Sequence, residues 1–386
     1  MADALIYDAV RTPFGRYAGG LSGVRPDDLA YHVIAALAER GLDPERVDEV
    51  IFGDANQAGE DNRNVARMAV LLAGWPTSVP GSTVNRLCGS SLDGVMQASR
   101  AIETGDATCV VVGGVESMSR APQVLLKAEK PYAMGDQTLH STTLGWRVVN
   151  PAMPDQWTIS LGASTEKLAA IHGVSRAAQD EFAARSHRLT AQAWDAGFYS
   201  DWVIPVPGTD LVEDENLRRD TSLEKLGRLK PAFLADGTVT AGNASPLNDG
   251  AAALLIGDGS LPGEPLARIV SRGTHAVDPD IFGIAPVQAA NRALAKAGIG
   301  WGDVEVVELN EAFAAQALAC LGEWTDLDPE RVNPNGGAIA IGHPLGASGA
   351  RILATLAYEL RRRGGGYGVA AICIGVGQGL AVVLHV

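Results

Sequence analysis

Ser82-Thr83-Val84-Asn85-Arg86-Leu87-Cys88-Gly89-Ser90-Ser91-Leu92-Asp93-Gly94-Val95-Met96-Gln97-Ala98 sets a lone cysteine between two backbone periodicities. Ser82–Val84 reads as a strand, and the small-residue run Ser90–Glu103 as a helix that stops at Thr104-Gly105-Asp106. Ala107–Val112 then follows as an unbroken apolar strand, the mark of a strand covered on both faces. A thiol at a helix start feels unpaired N–H groups and the positive end of the macrodipole, which favour the thiolate. The local alternative is a small buried hydrophobe.

Toward the N-terminus, Ala4–Val10 reads as a first strand, Asp27–Arg40 as a helix, Val47–Phe52 as a buried strand and Asn62–Ala73 as a second helix. Strands alternating with helices predict a mostly parallel α/β sheet. From about Glu116 to Ala241 the regularity stops, with Pro122, Pro131, Pro151, Pro154, Pro205 and Pro207 and only short helical pieces such as Ser175–Ala196. This reads as a long insertion, a kind of segment that tends to carry binding function. Periodicity returns at Asn243–Gly257, with a strand at Ala251–Ile256.

The last third echoes the first. Ala297-Gly298-Ile299 through Val304-Glu305-Val306-Val307 parallels Arg40-Gly41-Leu42 through Val47-Asp48-Glu49-Val50-Ile51. The helix Ala347–Arg363, the break Gly364-Gly365-Gly366 and the strand Gly368–Ile374 repeat the helix–turn–strand that follows Cys88. Two βαβ-like halves imply an internal duplication, and a site between them draws residues from both.

The 386 residues carry a net charge of −14 and no lysine-rich run, which argues against nucleic-acid or anionic-membrane binding. Cys88, Cys109, Cys320 and Cys373 form no C-x-x-C pair and read as reduced thiols, with Cys109 and Cys320 structural. No apolar run approaches a membrane span and the N-terminus shows no targeting pattern, so a soluble cytoplasmic protein is expected.

Three further stretches could do chemistry. Gly336–Gly349 places His343 in a loop too poor in bulky side chains to be ordinary core; a neutral imidazole there could take the Cys88 proton or donate to an oxyanion. Cys373-Ile374-Gly375-Val376-Gly377-Gln378-Gly379 ends a strand in a glycine run, and holds either a buried structural cysteine or a second reactive thiol beside oxyanion-binding N–H groups. It is not a dinucleotide fingerprint, because the spacing is wrong and a strand follows. Asn310, between the strand Val304–Leu309 and a helix, either caps that helix or holds a water in a site.

Asn85-Arg86-Leu87-Cys88-Gly89-Ser90, Asn310-Glu311-Ala312-Phe313-Ala314, Gly342-His343-Pro344-Leu345-Gly346-Ala347-Ser348-Gly349 and Cys373-Ile374-Gly375-x-Gly377-Gln378-Gly379 resemble, in order and spacing, the four signature blocks of the thiolases. The resemblance covers essentially the whole chain. It implies a duplicated five-layered αβαβα fold with pseudo-twofold halves. Residues 1–118, completed by about 242–265, would form the N-terminal half. Residues 119–241 would be an inserted loop domain covering coenzyme A, and 266–386 the C-terminal half. It implies a homotetramer or homodimer, with CoA and acyl-CoA as substrates and no permanently bound cofactor or metal. Gln57–Met68, Gly114–Pro122 and Gly145-Trp146-Arg147 most resemble the thiolases acting on 3-oxoadipyl-CoA, and Val376 fits a degradative type. Pro246 after Ser245, and the block Leu161–Lys167, depart from the usual pattern.

By this resemblance, His343 takes the Cys88 proton, Cys88 attacks the 3-keto carbon to form an acyl-enzyme, and Cys373 protonates the departing C2 carbanion. One oxyanion hole combines His343 with a water held by Asn310; the other uses the N–H groups of Cys88 and Gly375. Ser245 is the matched pantetheine contact. Arg218 or Arg219 could meet the CoA phosphates, and a carboxylate at the acyl end would need a cation, for which Arg63, Arg67 and Arg147 are candidates. A biosynthetic acetoacetyl-CoA thiolase, a decarboxylating ketosynthase and a non-catalytic acyl-CoA scaffold are the alternatives. A second glycine-flanked cysteine counts against the ketosynthase, and four polar groups in glycine-rich loops count against the scaffold.

Overall fold

The first part of the chain builds β1 (Leu5–Arg11), β2 (Gly15–Arg16), α1 (Pro26–Glu39), β3 (Glu49–Gly53), α2 (Val65–Leu72), β4 (Gly81–Val84), α3 (Ser90–Thr104) and β5 (Cys109–Ser117). A middle segment carries β6 (Gln123–Leu125), β7 (Leu139–Ser141), α4 (Leu161–His172), α5 (Arg176–Asp195) and α6 (Leu223–Gly227). The remainder forms β8 (Asn248–Gly257), β9 (Ala267–Ala276), α7 (Ala285–Ala297), β10 (Val304–Leu309), α8 (Ala314–Glu323), α9 (Ala338–Ile341), α10 (Leu345–Arg363), β11 (Tyr367–Ile374) and β12 (Gln378–His385). The computed structural model describes residues 2–386.

The strands line up as β4-β3-β5-β8-β1-β9-β12-β11-β10, with β2 on β8. Among the described residues, only Leu5↔Arg268 and Ile6↔Ala267 pair β1 with β9, so the sheet is two half-sheets touching at their edges. The orders β3-β5-β8-β1 and β10-β11-β12-β9 match in sequence and sense, and Val332 bridges Val307 where β4 pairs with β3. The duplication is therefore present in the backbone. The expected mostly parallel sheet is not: β8 and β12 run antiparallel to both neighbours. The sense follows from the connections, since β11 and β12 meet at a tight turn with Val376 at φ 67° and Gly377 at φ 79°, and a hairpin can join only antiparallel strands.

Alternate residues of the apolar strands reach different layers. Ile51, Val110 and Val112 face an inner core, while Val50, Phe52, Val111 and Val115 face α1 and α2. In the second half Val306, Ala370 and Ile372 point inward, and Val307, Leu309 and Ala371 point to the layer of α7 and α8. Helices α3 and α10 pack on each other between the half-sheets, which completes five layers, αβαβα. They touch almost backbone to backbone: a Cβ on Gly349 would lie 2.3 Å from the Leu92 nitrogen. Across that seam, the Ala350 N–H donates to Ser91 Oγ at 2.9 Å.

The helix expected over Asn62–Ala73 begins only at Val65. Asn62 (φ 58°) and Arg63 (φ 65°) are left-handed, and Asn64 caps the helix by accepting from the Arg67 N–H. Among the described residues, no helix is long and apolar enough to cross a membrane.

Candidate active site

Cys88 sits in a single tight turn, Leu87–Gly89, directly ahead of α3, with Leu87 at φ 48°. The Ser90 hydroxyl holds that turn by donating to the Leu87 carbonyl at 2.6 Å and accepting from the Arg86 N–H at 2.9 Å. Gly89 is needed for a close approach, because a Cβ there would meet Ile374 Cδ1 at 2.4 Å. The end of β11 therefore lies against the cysteine turn, bringing Cys88 beside Cys373 and Gly375. Contrary to the helix-start expectation, burial wins over the backbone dipoles. It pushes the Cys88 thiol up to about 11, the Gly375 N–H pulling it down and the Glu116 carboxylate adding to the rise. Cys373, fully buried among Ala244, Ala312, Phe313 and Phe282, is pushed well above the thiol range by burial and then by Cys88. Both thiols rest protonated.

His343 lies in the loop before α10 and donates its backbone N–H to Asn248 Oδ1 at 2.8 Å. Gly342, at φ +118°, has no room for a Cβ against that Asn248 amide. The ring's Nδ1 is 2.6 Å from Ser348 Oγ, and the Ser348 hydroxyl also donates to the Pro344 carbonyl at 2.8 Å. A hydroxyl has one proton to give, so Ser348 accepts from Nδ1–H and leaves Nε2 as the ring's acceptor. Burial, reinforced by the Arg351 charge, lowers His343 to about 3. It is a neutral base with Nε2 as the basic atom.

Asn310 does not cap α8, which starts at Ala314 after Phe313. Its Oδ1 accepts from Arg351 Nη2 at 3.2 Å, and this fixes the amide so that Nδ2 faces His343 Nε2 at 3.4 Å. Arg351 is itself buried against Glu308 at 3.3 Å. Ser348 and Arg351 are thus parts of the site that sequence reasoning missed. Ser348 lies in the same small-residue run as His343, five residues after it, whereas nothing local marks Arg351.

A cavity of about 190 Å³ opens onto Cys88 and Gly375, with Leu87, Leu144, Trp146, Leu161, Leu345 and Val376 as its apolar walls. Glu116 also lines it, accepting from the Ala55 and Gly346 N–H groups at 3.1 and 2.9 Å. Burial raises Glu116 to about 7. The cavity shares Ala55, Asn56 and Arg147 with an outer one of about 510 Å³ that also contains Arg63. Arg67 is elsewhere: its guanidinium is spent on the carbonyls of Val79 and Thr77, pinning the loop after α2. Ser245 Oγ donates to the Ala312 carbonyl at 3.0 Å, beside Cys373. Arg218 lines a separate cavity of about 570 Å³ with His187, Arg185 and Arg188, and Arg219 at its edge is paired with Asp195 and Glu213. Cys109 and Cys320 are buried free thiols.

The family model for the thiolase N-terminal domain matches residues 4–260, and that for the thiolase C-terminal domain matches residues 263–386. The chain belongs to the thiolase family. It is an acyltransferase of the thiolase type, similar over its full length to Beta-ketoadipyl-CoA thiolases. One from Escherichia coli is 50% identical over 400 residues and one from Pseudomonas aeruginosa 50% identical over 397, each covering at least 99% of both chains. An acetyl-CoA acetyltransferase from Cupriavidus necator is 43% identical over 400 residues, 100% of both chains. Among solved structures, the acetyl-CoA acetyltransferase of Bacillus anthracis superposes with a TM-score of 0.93 at 39% identity, covering 100% of this chain and 99% of that one. Human mitochondrial 3-ketoacyl-CoA thiolase in complex with CoA gives 0.92 at 41% identity, covering 100% and 98%.

Proposed function

We propose that this thiolase uses the thiol of CoA to cleave 3-oxoadipyl-CoA into acetyl-CoA and succinyl-CoA. The reading is carried by the full-length similarity, at 50% identity, to proteins named Beta-ketoadipyl-CoA thiolase. In this mechanism His343 Nε2 takes the Cys88 proton as the sulfur attacks the keto carbon, so that a thiol that rests protonated becomes a thiolate only as it reacts. The imidazolium so formed has an Nε2–H to give, and with a water held by Asn310 it stabilises one oxyanion. The backbone N–H groups of Cys88 and Gly375 stabilise the other. Cys373 supplies the proton for the departing C2 carbanion and takes one from the incoming CoA thiol. This reading gives Ser245 the pantetheine contact and Arg218, which shares its cavity with Arg185, Arg188 and His187, the CoA phosphates. In this reading residues 119–241 cover the coenzyme, and the exposed Leu125, Leu126 and Leu139 of the β6–β7 hairpin support assembly into a homotetramer or homodimer. Four free thiols fit the reducing cytoplasm.

The relative from Cupriavidus necator favours acetoacetyl-CoA as the second reading. Initial cleavage rates on 3-oxoadipyl-CoA, acetoacetyl-CoA and a long-chain 3-oxoacyl-CoA, measured side by side, decide between them. The expected order puts 3-oxoadipyl-CoA first; preference for acetoacetyl-CoA alone would sink the dicarboxylate assignment.

A further inference from the structure

Arg63 and Arg147 border the outer cavity and, among the described residues, neither side chain makes a hydrogen bond or an ion pair. Their neighbours differ: Arg25 pairs with Asp27 and Glu60, and Arg120 with Glu60. Three of the amides around the two arginines are already committed. Asn56 Nδ2 donates to Thr142, Gln57 Nε2 to the Asp54 carbonyl and Asn85 Nδ2 to the Ala55 carbonyl. No carboxylate lines the outer cavity, and its charged donors are the two guanidinium groups. Arg63 is held there by backbone that an L side chain avoids, at φ 65° and following Asn62 at φ 58°, with its N–H tied to the Gln57 carbonyl at 3.0 Å. Arg147 belongs to both cavities, and so marks the passage from the apolar chamber over Cys88 to the cationic one beyond it.

We infer that Arg63 and Arg147 receive the distal carboxylate of a dicarboxylic 3-oxoacyl-CoA and thereby set the acyl specificity of this enzyme. The apolar walls at Leu144, Trp146 and Val376 take the methylene arm, and the carboxylate emerges where the planar donors of the arginines can meet it. This assignment rests on the 3-oxoadipyl-CoA reading above. A 3-oxoacyl chain with a methyl terminus would leave both arginines solvated and gain nothing from them.

The test uses 3-oxoadipyl-CoA and 3-oxohexanoyl-CoA, chains of equal length that differ in a terminal carboxylate or methyl group. The readout is the ratio of their kcat/KM values for the full-length enzyme, for Arg63→Gln, for Arg147→Gln and for the double variant. Loss of one charge-assisted contact should lower that ratio about tenfold in each single variant and about a hundredfold in the double, mostly through KM. A wild-type enzyme with no preference for the carboxylate overturns the substrate reading and this inference with it. A clear wild-type preference that survives in the double variant overturns the arginine assignment alone.

Discussion

The pair Cys88 and His343 is neutral at rest, and this changes what a chemical probe should see. A thiol pushed up to about 11 and an imidazole lowered to about 3 offer no thiolate–imidazolium form at neutral pH. Alkylation of Cys88 by iodoacetamide should therefore climb steadily from pH 7 to pH 10; a plateau below pH 8 would show a pre-formed thiolate instead. Acetyl-CoA should label Cys373→Ser on Cys88, seen by mass spectrometry, while that variant neither cleaves nor condenses, and Cys88→Ala should not be labelled. Normal turnover by Cys373→Ser would remove it from the acid–base role. Glu116 allows a stability test. An acid raised from about 4.5 to about 7 by burial keeps an extra proton in the folded state, so its contribution to stability is lost as pH rises through that window. Glu116→Gln keeps an acceptor for the Ala55 and Gly346 N–H groups and removes the titration. It should gain over the wild type as pH rises from 4.5 to 8, read from denaturant midpoints at each pH. An unchanged difference across the range would mean that Glu116 is not the titrating group.

At the scale of elements, the N-terminus of α10 rests on β3 and β5 with no side chains between them. A Cβ on Gly114 would fall 2.0 Å from the Gly346 carbonyl oxygen, and one on Gly346 would fall 2.1 Å from that of Val115. Gly114→Ala must push the start of α10 away, and the His343 loop with it. We expect a loss of on the order of 3 kcal/mol, the upper end for overpacking against backbone, together with a fall in kcat. Urea unfolding and a single-substrate assay check both, and wild-type values in each would show that the seam yields freely. These contacts also explain what was legible in the sequence. Helices α3 and α10 and strands β5 and β11 are long, one-character segments, and their echo revealed the duplication. Strand sense was not legible, because it depends on how β8 and β12 are reached and not on their own apolar runs. Of the groups given a role above, Cys88, His343 and Cys373 stood out because each sits beside glycines, and Asn310 because it interrupts the junction of an apolar strand and a helix. Arg351 did not, because a helix arginine reads as surface until Glu308 and Asn310 arrive from a strand forty residues away.

On the scale of the whole molecule, the site exists only where the halves meet. Cys88 and Glu116 come from the first half, and His343, Asn310, Cys373 and Gly375 from the second. The core between them is equally shared: Ile51, Val112 and Leu254 pack in one cluster with Val306, Ile372 and Val382 through α3 and α10. Neither half can keep its inner face dry alone, since exposing it costs about 25 cal/mol for each Å² of apolar surface returned to water. The segments matched as separate N- and C-terminal domains should therefore unfold as one unit. Calorimetry should show a single transition whose calorimetric and van't Hoff enthalpies agree. Gly349→Ala, which forces α10 away from Leu92 in the other half, should move that transition down without splitting it. Two resolved transitions, with only one displaced by the substitution, would mean that each half carries its own stability and that the shared layer is merely an interface.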